Sequence, residues 1–255
     1  MNPIERRTLI LQRLQRDGKV GLGELAQEFD VSSMTVRRDL RQLMDQGIAT
    51  ISVGTAYLTD QGTGSIAIVP AEEHDHGVPA RKRAIGQRAA QLVDDGDTII
   101  IDCGTTTYEL LKYIGSKRLT IITNSIPVAS LVGPNPNVKL IYAPGEYSED
   151  SHGLIGPLTV DFLHTLRADK AFLGAHGFDA VGGANEPVLG DGTVKRAMLG
   201  SAAESYLLVD SSKYGNVHFM ALSKLSDFSC VITDDDFPTD KREELEDACN
   251  KVIYA

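Results

Sequence analysis

Apolar residues recur with a helical period over residues 4–16, where Ile4, Leu9, Ile10, Leu11 and Leu14 stand among Arg, Glu and Gln until Asp17-Gly18 ends the run. A shorter stripe, Leu22, Leu25, Ala26 and Phe29, predicts a second helix over 22–29 with a turn at Asp30-Val31. Ser32 then occupies an N-cap position, and Val36, Leu40 and Leu43 fall at i, i+4 and i+7 of a third helix that Gly47 can stop. Residues 48–58, IATISVGTAYL, are β-branched around Gly54 and predict a two-stranded hairpin. Gly, Thr, Asp, Glu, His and Pro dominate residues 59–79, the composition of a linker.

Beyond the linker, apolar runs and helical patterns alternate. Helices are predicted over 80–93, 106–114, 126–132, 157–166, 192–205 and 239–249, and strands over 97–102, 119–123, 138–142, 170–174, 206–210, 229–233 and 251–254. Strands without polar alternation, separated by helices, imply an α/β fold whose parallel sheet is covered on both faces. The expected organisation is therefore a small three-helix and hairpin domain over 1–58, a linker over 59–79 and a larger α/β domain over 80–255.

Composition narrows the classes. With 255 residues, 42% of them apolar, the chain can bury a sizeable core, which excludes disorder. The uncharged run through 119–133 is broken by Thr, Asn, Ser and Pro, so neither export nor a membrane partner is expected. Cys103, Cys230 and Cys249 are too few and too scattered for a disulfide framework or zinc cluster, and a reducing cytoplasm is the simplest compartment. His74 and His76 in the acidic linker are better read as solvated than as metal ligands, and no metal or cofactor is expected. The net charge of −10 is uneven: residues 1–57 carry eight basic and seven acidic side chains, the remainder 17 and 28. An acidic body repels a phosphate backbone, which leaves the N-terminal segment as the contact for any DNA.

In the third helix, Arg37, Arg38 and Arg41 lie off the apolar stripe, and Ser33 and Thr35 occupy the exposed first turn. Such a face can enter a major groove, where Arg pairs with guanine and hydroxyls reach base edges or phosphate. Taken in isolation, three Arg are better read as a solvated charged face on a structural bundle. The whole segment GKVGLGELAQEFDVSSMTVRRDLRQLMDQG, through Val20, Leu25, Ala26, Phe29, Val31, Ser32, Thr35, Arg37, Arg38, Asp39, Leu40, Leu43 and Gly47, resembles the winged helix-turn-helix of the DeoR family of bacterial transcription regulators. The resemblance implies that the helix with Ser33, Thr35, Arg37, Arg38 and Arg41 is the recognition helix and that double-stranded operator DNA is a partner. Thr50 to Ala56 departs from the basic residue and His-Gly-Gly-Ala-like turn with which that family usually ends the module.

The first strand of the larger domain runs into Asp102-Cys103-Gly104-Thr105-Thr106-Thr107 and the second into Thr123-Asn124-Ser125, each just before a helix. Glycine, hydroxyls and free backbone N–H groups at such ends suit an anion, although Thr, Asn and Ser are also ordinary caps. Lys195 and the Asp210-Ser211-Ser212-Lys213 stretch add charge that could bind phosphate, and Lys195 could equally be a solvated helix residue. These segments, with LGAHGFD over 173–179, VKRAM over 194–198 and DSSKYG over 210–215, resemble the DeoR-family sensor domain in the same order. That resemblance implies a fold similar to ribose-5-phosphate isomerase and a phosphorylated sugar as effector, contacted by Asp102, Gly104, Thr105, Thr106, Thr107, Thr123, Asn124, Ser125, Asp179, Lys195, Asp210 and Lys213. Pro144-Gly145-Glu146 stands where that family usually has Gly-Gly, and Gly190-Asp191-Gly192 precedes Thr193 where a Glu is often found. Isomerase chemistry needs a positioned base, and the two carboxylate positions of that enzyme's motif fall here on Leu173 and His176. The expectation is accordingly a non-enzymatic repressor of carbohydrate-metabolism genes, working as a homo-oligomer, dimer or tetramer, whose operator binding a phosphorylated sugar modulates.

Overall fold

The computed structural model describes residues 3–17, 19–45, 49–52, 55–58 and 80–255. The chain divides into two compact units, Met1–Ile68 and Val69–Ala255. The expected linker, with His74 and His76, and the stop at Gly47 lie outside the described residues.

The first unit runs α1 (Pro3–Asp17), β1 (Lys19–Gly21), α2 (Leu22–Glu28), α3 (Ser33–Asp45), β2 (Ala49–Ser52) and β3 (Thr55–Leu58). The predicted stripes bury together: Ile10 and Leu14 of α1, Leu22 and Leu25 of α2, and Val36, Leu40 and Leu43 of α3 form one cluster with Val20, Ala49 and Ala56. Ser32 caps α3 as expected, its Oγ accepting the Thr35 N–H at 3.2 Å. The hairpin has a third member that the sequence pattern did not mark. β1 pairs antiparallel with β3, Val20 facing Ala56, and gives the order β1-β3-β2. Three residues are too few to show a period.

The second unit is built on a seven-stranded, entirely parallel sheet of β4 (Thr98–Ile101), β5 (Leu119–Thr123), β6 (Val138–Tyr142), β9 (Ala168–Leu173), β12 (Ala202–Leu208), β14 (Cys230–Thr233) and β15 (Val252–Tyr254), in the order β15-β14-β12-β9-β4-β5-β6. Neighbouring residues on each strand enter opposite cores. Ile99, Ile101, Ile121, Phe172 and Leu208 pack with α4 (Ala80–Ala90), α5 (Thr105–Leu111) and α6 (Ile126–Val132) on one face. Ile100, Ile122, Leu173, Leu207 and Val231 pack with α7 (Pro157–His164), α8 (Leu189–Gly200) and α9 (Arg242–Ala248) on the other. Burial on both faces is why these strands read as unbroken apolar runs. Gly86 lets α4 lie close on α5, since a Cβ there would stand 2.6 Å from the Glu109 Cβ.

Three expectations need correction. The helix expected over 192–205 spans Leu189–Gly200, and Ala202–Ser205 belong to β12, where Ala202, Glu204 and Ser205 pair with Ala168, Lys170 and Ala171. Gly200-Ser201 ends the helix, the Ser201 hydroxyl donating to the Leu163 carbonyl, and the strand ladder then overrides the helical preference of Ala-Ala-Glu. The helix expected over 239–249 starts as a 3-10 turn, Thr239–Lys241, before α9. Two small antiparallel sheets were not expected: β7 (Glu146–Ser148) with β8 (Gly153–Ile155), and β10 (Gly177–Asp179), β11 (Gly183–Glu186) and β13 (Met220–Ser223) in that order. Their strands hold three or four residues each, several of them Gly, and carry no readable alternation.

Candidate functional site

α3 turns Val36, Leu40 and Leu43 inward and leaves Arg37 and Arg38 exposed, with no ion-pair partner among the described residues. Thr35 is half-buried, its hydroxyl paired with the Ser32 hydroxyl at 2.9 Å, so it contributes to the cap. The side chains of Ser33 and Arg41 lie outside those described. Asp39 follows the two exposed arginines and points the other way: it is 2% exposed and accepts the Arg6 Nε at 2.5 Å, with the Arg7 guanidinium at 3.7 Å. Two of the basic residues of the N-terminal segment thus hold α1 to α3 and do not belong to the outward basic face.

In the second unit the chain leaves β4 for β5 and β6 on one side and later returns to place β9 on the other. β4 and β9 therefore flank the point where the winding reverses, and ligands of open α/β sheets bind at the carboxyl ends of strands there. Asp102 follows β4 and Gly174 follows β9. One Asp102 oxygen accepts the Gly104 N–H at 2.9 Å and the Thr107 hydroxyl at 2.5 Å, the other the Gly174 N–H at 2.8 Å. Lys195, reaching in from α8, donates to the Gly174 carbonyl at 3.0 Å and to Glu186 Oε1 at 2.5 Å, and lies 3.2 Å from Asp102 Oδ2. Glu186 Oε2 in turn meets His176 Nδ1 at 2.6 Å. Burial alone would raise the Asp102 carboxyl, but Lys195, Thr107 and the two backbone N–H groups outweigh it and hold the group below the ordinary carboxylate range. Glu186 is likewise held low, His176 and Lys195 overcoming its burial, and the two carboxylates hold Lys195 protonated against its own burial.

The twelve residues expected to contact an effector do not share one environment. Asp102, Thr107, Thr123, Asn124, Ser125, Lys195 and Asp210 are all buried and hydrogen-bonded or ion-paired within the protein. Thr107 donates to Asp102, Thr123 donates to the Ile101 carbonyl, Asn124 donates to the Leu154 carbonyl, and Ser125 caps α6 by accepting the Val128 N–H. An ammonium has three donors, and Lys195 meets three internal acceptors, so it is a buried organising charge and not a solvated helix residue. Thr106 is buried with its hydroxyl unpartnered. Gly104, Thr105 and Lys213 reach solvent. Asp179 is set apart: its carboxylate accepts the Val181 and Gly182 N–H groups and closes the turn between β10 and β11. Cys103 donates to Asn124 Oδ1, and burial beside Asp102 pushes its thiol far above the ordinary range, which suits packing and not nucleophilic attack.

Glu186, Arg81 and Lys82 were missed, and Asp191 was marked only as a departure from the family pattern. Glu186 ends β11 in Asn-Glu-Pro, a context without a motif, and only the fold brings it to Lys195. Asp191, on the first turn of α8, is buried enough that its carboxyl is pushed up against the pull of Ser151 and Lys195. Arg81 and Lys82 open α4 in the run Arg-Lys-Arg, which reads as a solvated face. Arg81 instead lies 3.2 Å from Asp210 and 3.4 Å from the Ser212 hydroxyl, and Lys82 donates to the Thr105 hydroxyl at 2.9 Å.

Comparison with known proteins adds the family. Residues 6–61 match the DeoR-like helix-turn-helix domain and residues 78–235 the DeoR C terminal sensor domain. The chain is 34% identical over 93% of its length, and 92% of theirs, to the HTH-type transcriptional regulator YgbI of Escherichia coli (strain K12). It is 31% identical over 96% of its length to the lactose phosphotransferase system repressor of Staphylococcus epidermidis, of which 97% is covered, and 29% identical over 92% to the HTH-type transcriptional regulator IolR of Bacillus subtilis (strain 168), of which 90% is covered. Among solved structures, ribose 5-phosphate isomerase A of Methanocaldococcus jannaschii superposes with a TM-score of 0.39 at 21% identity, over 52% of this chain and 53% of that one. Among the described residues no helix is long and apolar enough to cross a membrane. With both of its domains matched in order and relatives above 30% identity along nearly its whole length, the chain belongs to the DeoR family of transcription regulators.

Proposed function

We propose that the protein is an operator-binding repressor of carbohydrate-metabolism genes, that α3 is its recognition helix, and that a phosphorylated sugar bound at the reversal between β4 and β9 modulates it. The outward pair Arg37 and Arg38, on a helix whose opposite face is fixed by Val36, Asp39 and Leu40, carries the DNA assignment. For the effector, Lys213 supplies an ammonium whose one hydrogen bond among the described residues goes to the Ala175 carbonyl, and Gly104 and Thr105 after β4 reach solvent as it does. A phosphate oxygen suits such a group, and the relatives named as a lactose phosphotransferase system repressor and as IolR favour a sugar-linked signal. Both Glu186 oxygens are engaged, by His176 and Lys195, so no free base stands there and no turnover of pentose or hexose phosphates is expected. A homo-oligomer is part of the reading, because two linked recognition helices on a two-fold operator gain effective concentration. The effector must bind the DNA-incompetent arrangement more tightly than the competent one, since equal affinity shifts nothing. The test is binding of the full chain to promoter fragments flanking its own coding region, at low salt, with and without a panel of phosphorylated and unphosphorylated sugars. Retention of a fragment that one phosphorylated sugar reverses supports the proposal. No retention of any fragment in any condition overturns it.

A further inference from the structure

The first turn of α4 is held by the two loops that expose the ligand-facing groups. Arg81 reaches Asp210 and Ser212, which follow β12, and Lys82 reaches Thr105, which follows β4. Neither Lys82 nor Lys213 has a carboxylate within ion-pair distance among the described residues, and each donates to a neutral oxygen, the Thr105 hydroxyl and the Ala175 carbonyl. Burial first, then the Lys82 and Lys195 charges, pull Lys213 down to about 8 in spite of Asp210 and Glu186. Two ammonium groups, one on the Thr105 hydroxyl after β4 and one on the Ala175 carbonyl after β9, form an arrangement that an anion between them relieves. Asp102 and Lys195 cannot serve in their place, because their partners are already inside the protein.

We infer that Lys82 of α4 is a ligand contact, closing with Lys213 on the anionic group of the effector, and that through Lys82 and Arg81 the bound anion fixes the first turn of α4, the element in which the linker ends. This rests on the effector site proposed above and adds to it a residue and a route: occupancy becomes a firmer hold on residues 80–82. The order along the chain makes the idea measurable. Residues 59–79 contain no Lys or Arg, so after Lys19, Arg37, Arg38 and Arg41 the next tryptic sites are Arg81, Lys82 and Arg83.

Limited trypsin digestion of the full-length protein, with inorganic phosphate as the probe, tests the inference. Cutting tracks the population of the opened turn, so phosphate at about ten times its Kd slows cleavage at Arg81 and Arg83 about tenfold. Lys82→Gln, which keeps both of those sites, is expected to lose this protection, Lys82→Arg to keep most of it, and the exposed-strand control Lys139→Gln to keep all of it. Thermal unfolding in the same buffers separates the two levels of the reading. If phosphate raises Tm in wild type and Lys82→Gln alike and protects both equally, the site stands and the role of Lys82 is overturned. If phosphate raises Tm without protecting wild type at Arg81 and Arg83, the route through α4 is overturned. If it does neither in wild type, the anion site fails and this inference with it.

Discussion

Removing the charge of Lys195 tests the central electrostatic reading. Lys195→Met keeps the length and apolar stem of the side chain and leaves Asp102 and Glu186, 1% and 0% exposed, without their shared cation. Breaking a buried ion pair by removing one partner costs about 3–5 kcal/mol, because the remaining charge stays desolvated. For a unit of this size, 1 kcal/mol moves Tm by about 3 °C, so a cost near 4 kcal/mol lowers the unfolding transition of the second unit by roughly 12 °C. The pH dependence has a definite sign. In wild type both carboxyls are held low, so their stabilisation is present above the unfolded-chain carboxyl range and is lost as pH falls through the lower folded values. In the variant, burial pushes both up and they take protons earlier, so the gap between wild type and variant narrows from pH 7 to pH 5. Differential scanning calorimetry at the two pH values measures this. The double variant Glu186→Gln/Lys195→Met, with one stranded charge removed, recovers part of the loss. A drop below about 3 °C, or an equal drop at both pH values, refutes the assignment of Lys195 as the charge that holds the site together.

Other outcomes follow from the same structure. Arg37→Ala or Arg38→Ala should weaken specific operator binding by about 1–3 kcal/mol if the side chain reads a base edge, and mainly flatten the salt dependence if it holds a phosphate; unchanged affinity in both removes them from the contact set. Asp39→Asn, which strands the buried Arg6, should cost the first unit about 3 kcal/mol and abolish DNA binding through loss of helical circular dichroism, with the second unit's transition unmoved. Sulfate keeps its charge across neutral pH, so its affinity for the full chain should fall as pH rises through about 8, where Lys213 loses its proton; a flat profile from pH 7 to pH 9 excludes Lys213 as a contact. Gly153→Ala should lower Tm by overpacking, at about 1–3 kcal/mol, because a Cβ there collides with the Cys103 sulfur and crowds Asn124.

The helices of the first unit were legible because each repeats one apolar stripe over two or more turns, and the parallel strands because burial on both faces makes them continuous runs. β1 and the strands of the small antiparallel sheets were not, being three or four residues long with Gly among them. Ala202–Ser205 misled for a different reason: its letters prefer a helix, and pairing with β9 decides otherwise. At the site, sequence order located the loops after β4, β5 and β12. It could not say which of their side chains are spent on one another, because Asp102 meets Gly174 and Lys195 meets Glu186 only across elements. The same blindness hid Lys82, whose meaning depends on Thr105, 23 positions away.

Arg37, Arg38 and Asp39 are three consecutive letters on one cylinder with opposite duties. The first two face outward and can be exchanged at little cost to the domain, while the third is the clasp that keeps the opening helix from swinging free. On the reading proposed for α3, a library aimed at a new DNA sequence varies Arg37 and Arg38 and keeps Asp39, since randomising all three would discard most of its members as unfolded before any of them met a duplex.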